Sequence, residues 1–221
     1  MKQFIDALDS GNTAAVKRQL ETDLELAAGR ADNVSVIVYS AYRGLDDMVS
    51  MLVAARRAIE APLDLWETIV VGDLERADEL LTENPASVDS TAEDGFSPIG
   101  LAAFFGHAPI VERLLAVGAD AARPSDNAMR VAPLHSAIAH RDRERSRACI
   151  RLLLDAGVPV NIAQAGGWTP LHQAAAQGDE TVVGWLLERG AEPATQAHNG
   201  QTSAQLAAER GHEEIAARLS R

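Results

Sequence analysis

Apolar residues recur in pairs at helical spacing along the chain, and each set follows a glycine at the same distance. The apolar positions lie four, five, eight and nine residues after that glycine, as expected for a helix with one buried face. The clearest sets are Met48, Val49, Leu52 and Val53 after Gly44, Ile110, Val111, Leu114 and Leu115 after Gly106, and Val182, Val183, Leu186 and Leu187 after Gly178. The pattern predicts a series of amphipathic helices.

The glycine before each apolar set marks a repeat. It recurs at Gly11, Gly44, Gly72, Gly106, Gly178 and Gly211, with gaps of 33, 28, 34, 72 and 33 residues, and Arg141 takes the marker position inside the longest gap. A period near 33 predicts stacked repeats that bury their core between neighbours. We expect one unit over 1–221 with seven repeats, at about 1–32, 33–60, 61–92, 93–126, 127–163, 164–197 and 198–221. Polar Gln19 and Ser220 within the first and last apolar sets indicate capping repeats at both ends.

The most regular copy provides a template for the others. It reads Gly167-Trp168-Thr169-Pro170-Leu171-His172-Gln173-Ala174-Ala175-Ala176-Gln177-Gly178-Asp179 and closes on Leu186-Leu187-Glu188-Arg189-Gly190-Ala191. Two copies depart from it. The short gap before Gly72 predicts a shortened loop in place of a hairpin, with Arg56–Glu60 replacing the usual glycine stop. About four extra residues around Arg141–Arg147 predict a longer inter-helix loop or helix end.

These motifs resemble the ankyrin repeat over the full chain, most clearly from Asp94 to Arg221. Within that superfamily, Asp94–Pro98 through Phe104–His107, Asn127–Val131 and Gln164–Trp168 are similar to segments of small bacterial single-domain ankyrin proteins. The resemblance implies an all-α repeat solenoid of paired antiparallel helices with β-hairpin or loop fingers. It also implies a scaffold that holds partner proteins with its fingertips and the concave face of its inner helices, without a family catalytic centre.

Charge and the N-terminal residues narrow the expected partners and compartment. With 20 Lys and Arg against 32 Asp and Glu, the formal charge is -12, which disfavours nucleic acid and anionic membranes as partners. Met1–Ala7 lacks the apolar core of a signal peptide, and no run of about 18 apolar residues occurs. The single cysteine, Cys149, cannot form an internal disulfide. We expect a cytoplasmic protein that is a monomer or a weak homodimer.

No residue pattern predicts catalysis, a cofactor or a metal site. His140 and His198 lie in different repeats, and neither has a second ligand at metal spacing. Cys149 stands in an apolar column of the repeat, where it is expected to act as a small core residue. The other four histidines occupy repeat-motif positions. His135 and His172 lie at the start of an inner helix, where the ankyrin resemblance implies hydrogen bonds to neighbouring backbone, and His107 and His212 follow the marker glycine at the turn.

The arginine-rich segment Arg141–Arg151 allows two interpretations. It is either a landing site for an acidic partner or a solvated helix end whose arginines pair with the interleaved Asp142 and Glu144. Interleaved opposite charges favour the second interpretation.

Residues at the ends of the inner helices and near the fingertips form the predicted partner-binding set. In ankyrin geometry the two residues before each marker tend to line the groove, and large aromatic side chains exposed there are costly unless a partner covers them. The alternative is that some of them are buried between repeats. The predicted anchors are Phe96, Phe104, Phe105 and Trp168, supported by Met129, with Asn127, Arg130, His140, Gln164, His198 and Asn199 as polar contacts.

The sequence therefore predicts a non-catalytic scaffold that binds an unidentified protein through the groove and fingertips of its central and C-terminal repeats. Two alternatives stay open. The same groove closes a homodimer, or the chain is a small-molecule or peptide sensor, or an unrecognised enzyme, with a pocket at the Phe104–Phe105 elbow.

Overall fold

A computed structural model describes residues 1–31 and 33–220, in which fourteen α-helices alternate with turns and loops. Two short strands, β1 (Arg30–Ala31) and β2 (Val34–Ser35), pair in antiparallel fashion. Over these residues, every helix is too short or too polar to cross a membrane. The helices are α1 (Lys2–Asp9), α2 (Thr13–Thr22), α3 (Val36–Tyr42), α4 (Asp46–Ala58), α5 (Leu65–Val71), α6 (Leu74–Glu83), α7 (Pro98–Phe104), α8 (Ala108–Ala116), α9 (Pro133–Ala139), α10 (Arg143–Asp155), α11 (Pro170–Gln177), α12 (Glu180–Glu188), α13 (Ser203–Glu209) and α14 (Glu213–Leu219).

The chain divides into two compact units, Met1–Leu80 and Leu81–Arg221. In the first unit α1 packs on α2 and α3 on α4, around a core that includes Phe4, Ile37 and Leu52. In the second unit the inner helices α7, α9, α11 and α13 lie side by side, and each packs on the outer helix that follows it. This is the all-α repeat architecture expected from the sequence, whereas the predicted boundaries of the seven repeats stay a prediction.

The apolar sets occupy the buried face of the outer helices, as predicted. Ile110 and Leu114 in α8, and Val183 and Leu186 in α12, are buried, whereas the last position of each set is half-buried. Ser220, which follows α14, is exposed. The buried positions join each outer helix to its neighbours, and burying a Leu, Ile or Val side chain stabilises the fold by about 1.5–3 kcal/mol.

The inner helices of the second unit begin where the sequence places proline or serine. Pro98, Pro133 and Pro170 are the first residues of α7, α9 and α11, where the missing N–H of proline costs no helical hydrogen bond. The α13 helix begins instead at Ser203, after the capping residue Thr202.

Both predicted departures from the template are present. The α4 helix ends at Ala58, Glu60 takes the left-handed conformation (φ 54°) that glycine usually provides, and α5 begins at Leu65 after a short link. The extra residues of the fifth repeat lengthen its outer helix, because α10 has 13 residues where α8 and α12 have 9. The insertion is therefore mainly a helix end, with His140–Asp142 forming the turn before it.

Candidate functional site

Three phenylalanines form a partly open cluster along α7. Phe96 lies just before the helix, Phe104 is its last residue, and Phe105 follows it. The ring centroids of Phe96 and Phe104 are 6.5 Å apart, and Phe104 and Phe105 meet edge to face at 5.2 Å. All three side chains are half-buried, so the cluster is neither fully enclosed nor fully exposed. These distances are typical of favourable aromatic pairs.

Gly100 lies beneath the Phe96 ring. It is the third residue of α7, a position that elsewhere carries a side chain reaching back to the N-cap: Glu67 in α5, His172 in α11 and Gln205 in α13. Glycine cannot form that bond. The position of a Cβ on Gly100 would lie 3.6 Å from Cδ1 of Phe96, so this ring covers the glycine. The repeat has exchanged a stabilising cap for aromatic packing.

His140 contacts the main chain beside the aromatic pair. Its Nδ1 lies 3.0 Å from the carbonyl oxygen of Phe104, and its ring lies against the turn at Gly106. Burial lowers the pKa of His140, which keeps the imidazole neutral at physiological pH. The structure thus places this predicted contact residue in a bridge between two repeats, with its side chain half-buried.

The next finger, the loop between α8 and α9, holds three of the predicted residues. The Asn127 amide donates from Nδ2 to the carbonyl of Asp94 (2.7 Å), and its Oδ1 accepts from the backbone N–H of Met129 (3.0 Å) and from the Ser125 hydroxyl (3.0 Å). Asn127 therefore holds the finger in shape. Met129, with 56% of its surface exposed, and the exposed Arg130 face solvent.

The remaining predicted residues lie in later fingers. Trp168 is half-buried beside the His172 ring, with centroids 6.0 Å apart, and Gln164 is also half-buried. His198 and Asn199 are exposed, but Oδ1 of Asn199 accepts from the backbone N–H of Gln201 (3.1 Å) and closes its own turn. The structure therefore brings Phe96, Phe104, Phe105 and His140 together and distributes the other residues along the fingers.

Arg145 is a neighbour of the aromatic pair that the sequence did not single out. Its guanidinium donates to the carbonyl oxygens of Phe105 (2.9 Å) and Gly106 (3.2 Å) and contacts Nδ1 of His107 (3.0 Å). The insertion in the fifth repeat was the sequence feature that pointed to this contact, because it lengthens α10, whose Arg145 reaches the preceding repeat. The partner atoms are main-chain carbonyls, which no side-chain pattern reveals.

The favoured interpretation had the arginines of this segment pairing with Asp142 and Glu144. In the structure, Arg143, Arg145 and Arg147 of α10 instead bind neighbouring repeats. Arg147 forms a two-point ion pair with Asp179 (2.8 and 3.2 Å), and Arg143 donates to the carbonyl of Gln177 (3.2 Å). The Asp142 carboxylate instead caps α10 by accepting from the backbone N–H of Glu144 (2.9 Å). The interpretation was therefore wrong about the partners: Arg147 is paired, but with Asp179 of the next repeat and not with Asp142 or Glu144.

The histidines that open the inner helices have the structural role expected of them. Nε2 of His135 lies 3.0 Å from the Trp168 carbonyl oxygen, and Nε2 of His172 lies 3.2 Å from that of Gln201. Each ring thus links its helix to the next finger. Cys149 is buried, and burial raises the pKa of its thiol to about 11, so it is held as the unreactive neutral form. Within 1–31 and 33–220, no three His, Cys, Asp or Glu side chains converge as metal ligands would.

The sequence of this chain was compared with protein-family models and with known proteins. A family model described as ankyrin repeats, in three copies, matches residues 65–164 and again 133–197. An ankyrin repeat and SAM domain-containing protein 6 from Mus musculus is 26% identical over 168 residues, which is 75% of this chain and 15% of the mouse protein. An ankyrin repeat, SAM and basic leucine zipper domain-containing protein 1 from Chlorocebus aethiops is 35% identical over 117 residues, which is 53% of this chain and 24% of that protein.

The chain spans less than a quarter of the length of these relatives. The relatives come from mammals, and the similarity to small bacterial proteins stays a prediction. The segment shared with these proteins is the array of repeats. The helix pairs and the hydrogen bonds from His135 and His172 to the next finger agree with that match. From residue 65 to residue 197 the family match is continuous, and the chain belongs to the ankyrin-repeat family.

Proposed function

We propose that this protein is a non-catalytic scaffold that binds a partner protein through the inner-helix face and fingertips of its central and C-terminal repeats. Ankyrin repeats generally mediate protein–protein interaction, which agrees with this assignment. The half-buried cluster of Phe96, Phe104 and Phe105 is the observation that carries the proposal. The surface runs from this cluster over the fingers that carry Met129 and Trp168.

The cluster supports binding because it stands where the repeat departs from its own template. At the position of Phe104 the other repeats of the second unit have Ala139, Ala176 and Glu209. Gly100 also gives up the capping side chain found in other inner helices. Sequences tend to break local rules at functional sites, where a gain elsewhere compensates for the lost stability. Aromatic side chains at the centre of an interface commonly contribute 2 kcal/mol or more to binding.

The fingers supply the selective contacts in this proposal. Met129 and Arg130 are exposed in the finger between α8 and α9, which follows the finger that carries Phe96. His198 is exposed two fingers further along the chain. The Asn127 amide donates to the preceding finger at Asp94 and accepts from its own turn at Met129, and the Asn199 amide oxygen accepts from its own turn at Gln201. We therefore assign them to shaping the fingers, with Arg130, Gln164 and His198 as the directional contacts.

The test is capture of partners by the intact chain and by a Phe104→Ala/Phe105→Ala variant, followed by measurement of Kd for a partner that only the intact chain retains. We expect each central Phe→Ala change to weaken binding by about 2 kcal/mol, roughly thirtyfold in Kd. Val117→Ala, which trims an exposed apolar side chain at the C-terminal end of α8, serves as the control. Equal capture by all three proteins, with circular dichroism showing that they are folded, would rule out the proposal.

The small-molecule alternative has less support than protein binding. One cavity of about 670 Å³ is lined by residues of the last repeat, including Thr202, Ala208 and Leu219. A second, of about 310 Å³, is lined by Leu20, Met51 and their neighbours in the first unit. Neither cavity includes the Phe104–Phe105 elbow where the sequence placed a pocket.

A further inference from the structure

The aromatic pair continues into a row of basic residues. The row follows the C-terminal ends of the inner helices and comprises residues 104–107, 139–143, Arg145 and 176–178; we call it the arginine edge. Its charged members are three arginines, Arg141, Arg143 and Arg145, and one aspartate, Asp142. The edge therefore carries a local excess of positive charge in a chain whose formal charge is -12, although Glu144 and Asp179 border it.

Two guanidinium groups of this edge are held in place by main-chain carbonyls, and within 1–31 and 33–220 neither forms a close ion pair with a carboxylate. Arg145 donates to the carbonyls of Phe105 and Gly106, and Arg143 donates to the carbonyl of Gln177. Arg141 is exposed and has no ion pair or side-chain hydrogen bond within 1–31 and 33–220. Carbonyl partners orient a guanidinium and leave its net charge available to an anion.

The acidic residues nearby offset part of this positive charge, because the Asp142 carboxylate is attracted to Arg145 and the Asp179 carboxylate to Arg143 as well as Arg147, but none of them forms an ion pair with Arg141. Asp142 turns its carboxylate to the backbone N–H groups of Glu144 and Arg145 at the start of α10. Glu144 is exposed, and at 100° per residue it lies on the side of α10 opposite the buried Ser146 and Ile150. The carboxylate of Asp179 is already paired with Arg147.

We infer that the arginine edge and the Phe104–Phe105 pair form one composite surface that binds an acidic protein segment carrying an aromatic or aliphatic anchor beside its carboxylates. The inference rests on the proposed function and adds the chemistry of the partner. The anchor packs against Phe104 and Phe105, and the flanking carboxylates reach Arg141 and Arg143. The order of contacts along the edge is fixed, because Arg145 holds the Phe105 carbonyl and Arg143 holds the next inner helix at Gln177.

Short labelled peptides test the inference. The first carries a Phe-Leu anchor flanked by glutamates, the second has serines in place of the anchor, and the third and fourth keep the anchor between glutamines or between lysines. Binding is followed by fluorescence anisotropy at low salt and again at about 0.5 M salt, where charge–charge attraction is screened. An Arg141→Glu/Arg143→Glu variant is compared with an Arg18→Glu/Arg57→Glu variant, which has the same net charge but changes exposed residues of the first unit.

We expect the anchored acidic peptide to bind at least tenfold more tightly than the anchored glutamine peptide and to lose this advantage at high salt. The Arg141/Arg143 reversal removes the advantage, the Arg18/Arg57 reversal preserves it, and Phe104→Ala weakens binding of the anchored acidic and anchored glutamine peptides. Equal affinity for the acidic and glutamine peptides, an unaffected Arg141/Arg143 variant, or no binding by any peptide up to about 1 mM overturns the inference. If the glutamine peptide still binds in a Phe104-dependent way, the proposed function stands without the acidic preference. If Phe104→Ala changes neither peptide binding nor partner capture, both fail.

Discussion

Gly106 lies at the turn between α7 and α8, where two neighbours leave no space for a side chain. Its φ of 68° lies in the left-handed region that glycine adopts without strain. A Cβ there would lie 2.7 Å from the His140 ring and 3.0 Å from Cβ of Arg145. This glycine therefore fixes how closely the fifth repeat approaches the aromatic pair.

Gly106→Ala is expected to destabilise the chain by at least about 2 kcal/mol, because steric overlap adds to backbone strain. Gly44→Ala is the matched control: its φ is 67°, and no atom lies within 4 Å of the added Cβ, so strain alone applies at about 1 kcal/mol. Urea unfolding of the two variants measures the difference. Equal losses of stability would show that the His140 contact gives way freely.

His135 makes the stability of the second unit depend on pH. Nε2 faces the Trp168 carbonyl, and Nδ1 is buried without a hydrogen-bond partner within the described residues, so a second proton on the ring has no acceptor. Burial lowers the pKa of His135 from 6.5 to about 4. The unfolded chain therefore takes up this proton first as the pH falls. The stability contributed by neutral His135 is complete above about pH 6.5 and is lost as the pH falls from 6.5 to about 4.

His135→Gln is expected to lower stability at pH 7, because the fitted ring is lost, and to flatten the dependence of stability on pH between 6.5 and 4. The intact chain loses roughly 3 kcal/mol more than the variant over that interval. Unfolding free energies measured at several pH values in both proteins give the two slopes. Parallel slopes would mean that His135 is not the titrating group.

At the scale of elements, a buried ionic cluster stands where the hairpin before α5 is missing. Oε1 of Glu67 accepts from the Ser35 hydroxyl (2.6 Å) and from Arg56 (3.0 Å), and Oε2 accepts from the backbone N–H of Asp64 (3.0 Å). Arg56 also donates to the carbonyls of Ala61 (3.2 Å) and Pro62 (2.6 Å). These bonds tie α3, α4 and α5 together where no hairpin is present.

Glu67→Ala is expected to destabilise the first unit by roughly 3 kcal/mol or more, because it leaves the largely buried Arg56 without its carboxylate. Glu79→Ala provides the comparison: it removes an exposed carboxylate from an ion pair with the half-buried Arg76 and should cost no more than about 1 kcal/mol. Thermal or denaturant unfolding separates the two cases. A small loss for Glu67→Ala would mean that solvent reaches Arg56 and replaces the carboxylate.

The sequence predicted elements well where one residue determines one conformation. Proline at the first helical turn and glycine at the turns predicted where helices begin and end, and the apolar sets predicted which faces are buried. It could not predict contacts whose partner is main chain, such as Arg145 with Phe105 or His140 with Phe104, since no side-chain pattern marks them. For the same reason the sequence suggested Asn127 as a partner contact, whereas its amide donates to the Asp94 carbonyl of the preceding finger and accepts from the Met129 N–H of its own.

For the whole molecule, the charge of -12 bears on self-association. Like charges on two copies repel each other at low ionic strength and oppose a homodimer that uses the inner-helix face. Light scattering at low salt is therefore expected to give the mass of one chain. A mass of two chains that falls to one in the Phe104→Ala variant would favour the self-associating alternative.

Successive fingers of the second unit are joined by main-chain hydrogen bonds. The backbone N–H groups of Asp126, Ala165 and His198 donate to the carbonyls of Gly95 (2.7 Å), Met129 (2.9 Å) and Gly166 (2.8 Å). Any residue with a backbone N–H can serve as the donor, so these links place little demand on the side chains at the tips. The array can therefore change its fingertip residues, one finger at a time, and acquire a new specificity while its stacking is inherited unchanged. Asn127 and Asn199, whose amides close their own turns, are the tip positions where such diversification would meet resistance.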